Sequence, residues 1–239
     1  MNRVLVTGAS GFVGHHLCRY LAHKKYKVLG TYRAKRPGSL KSVCDLRCLD
    51  ITDALAVAGL MQSYRPQYTV HLAAQSSPRM SWQTENETMD INVRGTINLL
   101  RAMREHASGS RFLFTSTNLV YGRSFRDGKS CSEQSPLSPE SPYAISKVLA
   151  ELACRDFHTK YGLDIIVARP FNHFGPGQKP PFVFADWCRQ IAEAEGGRRK
   201  RVLEVGNLDA YRDLIPVQDV VEAYEVLLRK GRGGETYNV

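Results

Sequence analysis

Thr7-Gly8-Ala9-Ser10-Gly11-Phe12-Val13-Gly14 follows directly on the apolar run Arg3-Val4-Leu5-Val6-Thr7 and leads into a helical pattern that lasts to about His23. Three glycines spaced GxxGxxG between a strand and a helix point to a turn that cradles a pyrophosphate. Glycine admits positive φ and lets backbone N–H groups approach a phosphate with no Cβ in the way. The helix that follows adds unpaired donors and the positive end of its dipole. In a chain with 19 glycines the string by itself is weak. Its place at a strand–helix junction is what gives it weight.

Outward from that turn, strand and helix alternate. Strands are expected at 27–32, 44–49, 68–73, 111–115 and 164–168, with helices at 53–64, 84–106 and 143–161. Strands joined by helices of this length pair in parallel through right-handed crossovers, which gives an α/β fold, a doubly wound parallel (Rossmann) sheet. After Arg169 the rhythm changes: Pro170, Pro176, Pro180 and Pro181, with Gly175 and Gly177, exclude a central strand or a helix. That stretch is expected to cross the carboxyl edge of the sheet, where ligands sit in this architecture. Helices are expected at 182–195 and 217–228, and a strand at 235–239. Residues 1–170 and 212–231 are assigned to a nucleotide-binding domain, and 171–211 and 232–239 to a small substrate-binding lobe.

Composition narrows the classes. With 43% hydrophobic and 23% charged residues, and no apolar run near the roughly 20 residues of a membrane span, the chain reads as a globular protein without membrane association. Met1-Asn2-Arg3-Val4 enters a strand with no signal-peptide pattern, so a cytoplasmic location is expected. The six cysteines show neither a disulfide framework nor paired CxxC spacing, and no metal is expected. The net charge of +10 includes Arg198-Arg199-Lys200-Arg201, read as a solvated turn. No nucleic-acid motif accompanies it, and small phosphate-bearing ligands account for the positive balance equally well.

The end of the second strand bears on the dinucleotide. An NAD site usually places Asp or Glu about 20 residues beyond the glycines, on the ribose hydroxyls. Here Thr31-Tyr32-Arg33-Ala34-Lys35-Arg36 carries no acid and three cations. Arg33 suits a 2′-phosphate, so NADP is expected, with NAD still possible. Asp50 and Ile51, closing the third strand, stand where an adenine is held.

The spacing Tyr-x-x-x-Lys occurs at Tyr20–Lys24 and at Tyr143–Lys147. The first lies at the far end of the first helix and reads as structural. The second opens the helix after the fifth strand, and one helical turn puts both side chains on one face. Hydride delivery to a carbonyl creates an oxyanion, so a proton donor must lie within hydrogen-bond reach. Tyr143 is the candidate donor, with Lys147 expected to lower its pKa. Thr117, with Ser116 as its second, is the candidate hydroxyl for the carbonyl oxygen.

Taken together, Thr7 to Gly14, Leu72-Ala73-Ala74, Thr115 to Gly122 and Tyr143 to Lys147 resemble an extended short-chain dehydrogenase/reductase over essentially the whole chain. Arg169-Pro170-Phe171-Asn172-His173-Phe174-Gly175-Pro176-Gly177-Gln178 and Gly206-Asn207-Leu208-Asp209-Ala210-Tyr211-Arg212-Asp213 resemble its GDP-mannose branch of dehydratases and 4-keto reductases. The resemblance implies that Leu72, Ala73, Ala74 and Pro170 line the cofactor site. It implies that Asn172 and Arg212 meet the phosphates of a nucleotide-diphosphate sugar, and that Ser76, Thr117 and Asn118 meet the sugar. It also implies a homodimer formed through the helix after Thr84 and the helix carrying Tyr143. Members of the family usually run some tens of residues further, so a shortened substrate lobe is expected.

A 4,6-dehydratase needs a carboxylate beside Tyr143 to take the C5 proton, and in such enzymes it follows the catalytic Thr within two residues. Here Asn118-Leu119 follow Thr117, and neither is a base. Reductases of the branch often carry an acid there too, so Leu119 departs from both patterns. The expectation is NADPH-dependent reduction of GDP-4-dehydro-6-deoxy-D-mannose to GDP-D-rhamnose or its C4 epimer. A nucleotide-sugar 4-epimerase, a 4,6-dehydratase and a non-catalytic NADP-binding protein stay open as alternatives.

Overall fold

The structure is a computed structural model that describes residues 2–125, 130–180, 182–209 and 212–239. Pro181 of the proline-rich stretch and Ala210-Tyr211 of the second branch motif lie outside the described residues. The chain runs β1 (Arg3–Thr7), α1 (Phe12–His23), β2 (Lys27–Tyr32), β3 (Asp45–Cys48), α2 (Ala54–Tyr64), β4 (Tyr68–His71), α3 (Pro78–Ser81), α4 (Glu85–Met89) and α5 (Gly95–His106). It continues through β5 (Arg111–Thr115), α6 (Pro142–Tyr161), β6 (Asp164–Arg169), β7 (Asn172–Phe174), α7 (Val183–Glu195), β8 (Leu214–Pro216), α8 (Val217–Lys230) and β9 (Thr236–Asn238).

Seven strands form one parallel sheet in the order β3-β2-β1-β4-β5-β6-β9. Successive strand residues bury on opposite faces, which is why these strands read as continuous apolar runs. Leu5, Phe112 and Phe114 pack against α2, α5 and α6 through Leu60, Met103 and Ala150. Val4, Val6 and Leu113 pack on the other side with Leu17, Val220 and Tyr224 of α1 and α8. The chain order reverses at β1 and β4, and the crevice above their carboxyl ends is the ligand position of such sheets.

Local chemistry fixes the helix starts. Asp53 accepts the Ala56 N–H at 3.0 Å to cap α2, and Ser141 accepts the Ala144 N–H at 3.2 Å to cap α6, with Pro142 in its first turn. The expected helix over 84–106 is interrupted: a π-helical turn, Asp90–Arg94, separates α4 from α5. Asn92 in that turn accepts the Gln75 N–H at 2.9 Å and donates to the Gln75 carbonyl at 3.0 Å. The wider turn aims this side chain at the loop after β4, at the expense of regular α geometry.

Two further departures concern the lobe. Residues 172–174 and 214–216, read as irregular or unassigned, pair as a small parallel sheet of their own. Thr236–Asn238, assigned above to the substrate lobe, is instead the seventh strand of the main sheet, with Val167 opposite Thr236. A three-residue strand at a chain segment rich in glycine gives too short a pattern to place by periodicity alone. Among the described residues, no helix is long and apolar enough to cross a membrane.

Candidate active site

A cleft of about 1650 Å³ opens over the carboxyl ends of the main sheet, and every site residue singled out in the sequence lines it. At one end stands the glycine turn. Gly8 has φ +73°, and a Cβ there would lie 2.8 Å from the backbone N of Ala73. A Cβ on Gly14 would lie 2.3 Å from the Gly8 carbonyl oxygen, so the turn closes on helix α1 only if that position is bare. Gly11 is the N-cap of α1 and offers no side chain to the first helical N–H groups. Those donors, with Ser10, Phe12 and Val13 around them, suit a pyrophosphate.

Further along, Arg33 lies at the end of β2 with Asp50 and Ile51 beside β3. The Thr52 backbone N–H and hydroxyl donate to Asp50 at 2.9 and 2.8 Å, and these bonds hold its carboxyl below the usual range. The residues flanking Arg33 in sequence carry no acid. The structure brings one: Glu87 approaches to 3.5 Å from α4, both side chains being more than half exposed. An ion pair this exposed is weak and leaves the guanidinium free to exchange partners. Lys35 and Arg36 do not line the cleft. Glu87 lies 54 positions from Arg33, beyond the reach of any local pattern.

At the other end Tyr143, Lys147 and Thr117 come together with Leu72, Ala73, Ala74, Ser76, Asn118 and Pro170 around them. Tyr143 is buried, and burial pushes its phenol up to about 12, with the Thr117 hydroxyl working in the opposite sense. Lys147 was expected to lower that phenol. Its ammonium instead donates to the Thr115 carbonyl at 2.7 Å and lies 4.9 Å from the Phe114 ring centroid. Burial brings Lys147 down to about 8, with the charge of Glu151 working in the opposite sense. Loss of hydration dominates at both buried groups. Thr117 caps the short turn Asn118–Val120, its oxygen accepting the Leu119 N–H at 3.3 Å, and the Asn118 N–H donates to the Pro170 carbonyl at 3.0 Å. Ser116, named as Thr117's second, is committed elsewhere: its hydroxyl donates to Glu151.

Asn172 and Arg212 face the same cleft from the β7–β8 side. That lobe is tied to α1 by His16, hydrogen-bonded to the Pro176 carbonyl at 2.8 Å, and by Phe12 stacked on His173. Tyr20 and Lys24 keep to themselves at the far end of α1, the ammonium 5.4 Å from the ring centroid. Among the described residues the carboxylates lining the cleft are Asp50 and Glu87, both at the Arg33 end.

Comparison with known proteins supplies a family. The family described as "NAD dependent epimerase/dehydratase family" matches residues 4–239. GDP-6-deoxy-D-mannose reductase of Pseudomonas aeruginosa is 39% identical over 237 residues, which is 99% of this chain and 74% of that protein. The human dTDP-D-glucose 4,6-dehydratase is 31% identical over 99% of this chain and 68% of its own length. Among solved structures, RMD from Pseudomonas aeruginosa complexed with NADPH superposes with a TM-score of 0.87 at 37% identity, covering 100% of this chain and 77% of that one. The UDP-glucose 4-epimerase of Thermotoga maritima with UDP-glucose gives 0.87 at 27% identity, covering 99% and 76%.

Proposed function

Since this chain belongs to the NAD dependent epimerase/dehydratase family, we propose that it reduces the 4-keto group of a nucleotide-linked 4-keto-6-deoxy sugar, with NADPH as reductant and a GDP-linked sugar as substrate. One observation argues against a dehydratase within the family. A dehydratase needs a carboxylate beside the catalytic phenol, and the cleft's carboxylates, Asp50 and Glu87, are grouped with Arg33. The Tyr143 end retains what a reductase needs. Similarity to the Pseudomonas aeruginosa reductase supports the substrate class.

The cleft's donor set fits the dinucleotide: bare glycines, an uncapped helix start and Arg33 for a 2′-phosphate. Bound there, NADPH supplies the hydride. The protein's part is to bind, orient and protonate. Thr117 and Tyr143 hold the carbonyl oxygen, and Tyr143 gives its proton to that oxygen as charge develops. Lys147 orients the ribose of the cofactor. Asn172 and Arg212 hold the sugar's diphosphate, and Ser76 and Asn118 hold the hexose.

We also propose that the protein is a cytoplasmic homodimer. Ile145, Leu149 and Leu152 support the dimer: spaced i, i+4, i+7 on α6, they are 41%, 42% and 53% exposed, an apolar stripe on the part of the helix, residues 142–154, whose other positions are buried or half-buried.

The test is NADPH absorbance at 340 nm, a property of the reduced nicotinamide. Stoichiometric oxidation is expected with GDP-4-keto-6-deoxymannose and none with GDP-mannose. No oxidation by a protein that still binds NADPH would remove the reductase reading and favour an epimerase.

A further inference from the structure

Behind the candidate catalytic residues lies a buried polar network in which the proposed chemistry has no direct use. Glu151 sits on α6 one helical turn beyond Lys147 and is 7% exposed. Arg169, at the end of β6 and 2% exposed, grips it through two nitrogens, Nε to Oε1 at 3.0 Å and Nη2 to Oε2 at 2.6 Å. The third guanidinium nitrogen donates to the Tyr121 hydroxyl at 2.9 Å and the Glu133 carbonyl at 3.2 Å. Tyr121 passes the chain on to Asn238 of β9 at 2.6 Å. On its inner side Glu151 accepts the hydroxyl of Ser116, the residue immediately before Thr117.

Desolvating a carboxylate and a guanidinium is costly, and an apolar pair of similar volume is often at least as stable. Bidentate geometry settles where each charge points. Here both ends of the carboxylate's reach are site residues: Ser116 through a hydrogen bond, Lys147 through the helix.

We propose that Glu151, clamped by Arg169, is a positioning residue for the candidate active site: it fixes the Ser116–Thr117 corner and faces the Lys147 ammonium with a negative charge. The inference rests on the reductase reading for its kinetic consequence, though not for its electrostatic one. The groups that face Lys147 are Tyr143, Glu151 and Cys154 from its own helix, His71 from β4 and the Thr115 carbonyl and Phe114 ring from β5. Among these, Glu151 supplies the negative charge near neutral pH, because burial raises the Cys154 thiol far above its ordinary value. His71 stays neutral, held at about 3 by burial with Lys147 adding to the effect.

The experiment compares wild type with Glu151→Gln and Ser116→Ala. Glu151→Gln keeps the shape and removes the charge, so the Lys147 Nζ resonance, followed by ¹⁵N NMR, is expected to titrate lower by about half a unit to one unit. The alkaline limb of kcat/KM for NADPH oxidation is expected to move down by the same amount. Ser116→Ala, which leaves the charge and frees the corner, is expected to lower kcat severalfold with KM for NADPH within about twofold. Should Glu151→Gln fail to fold with Arg169 left unpaired, Glu151→Gln with Arg169→Met removes both charges, and a smaller fall in the Lys147 titration is expected because the lost cation offsets part of the lost anion. A Lys147 titration unchanged from wild type in Glu151→Gln, or in the double variant where the single one does not fold, overturns the proposal, as does a Ser116→Ala enzyme with wild-type kcat. If the wild type itself oxidises no NADPH with the keto sugar, the reductase reading falls and the Lys147 titration still decides the role of Glu151.

Discussion

The division of labour among neighbouring side chains decides what the site can do. Tyr143→Phe removes the proposed proton donor without changing the shape of the cleft, so turnover is expected to fall at least about a hundredfold while NADPH still binds. Turnover within tenfold of wild type, with binding measured by nucleotide fluorescence, would withdraw Tyr143 from the role. His71 gives a second test. Thr96 donates to the Asn92 carbonyl at 2.6 Å, so it accepts from Nε2–H of His71 at 3.0 Å, and Nδ1 accepts from Thr7 at 2.7 Å. That ring is held neutral, its pKa brought to about 3 from an ordinary 6.5. The unfolded chain therefore takes up the proton first as the pH falls, and stability drops from about pH 6.5 down toward pH 3. The slope for one such proton is at most about 1.4 kcal/mol per pH unit. A flatter acid limb is expected in thermal melts of His71→Gln, and a limb identical to wild type would show that other groups set it. At this scale the sequence disclosed which residues gather in the cleft, since Tyr143, Lys147 and Thr117 sit on spacings that chemistry demands. It did not disclose Glu87 beside Arg33 or Lys147 bound to a strand carbonyl, because both depend on contacts made across the fold.

Whole elements were legible in proportion to the length of their patterns. β1, β2 and β5 have the limits expected from their apolar runs, and α2 begins at the Asp53 cap. The π-helical turn escaped because hydrophobic spacing alone does not reveal one added residue, and β7 and β8 because three residues beside prolines carry no usable period. Helix α6 shows what an element's two faces do separately: one side carries Tyr143, Lys147 and Glu151 inward, the other presents Ile145, Leu149 and Leu152 outward. Leu149→Glu places a charge in the middle of the outward stripe. Sedimentation velocity is expected to show a shift from dimer to monomer, with the inward face intact. A wild-type protein that sediments as a monomer at micromolar concentration would remove the dimer.

For the molecule as a whole, the two sheets are held by very different amounts of packing. The seven-stranded sheet is sandwiched between two apolar layers, whereas β7 and β8 pair over three residues, with Asn172 and Leu214 exposed. Native-state hydrogen exchange is expected to show amides of β1, β4 and β5 opening only with global unfolding, and those of β7 and β8 opening earlier. Equal protection in both sheets would mean that the lobe and the main sheet unfold as one unit. The order of the main sheet also has a bearing on birth rather than activity. Val4 of β1 finds its inner neighbour in Tyr68 of β4, 64 positions later. At a synthesis rate of about 5–20 residues per second, that partner follows the first strand out of the ribosome by roughly 3 to 13 seconds. Throughout that interval the most apolar strand of the nascent chain has one edge bare, which makes it the segment most in need of a chaperone's cover.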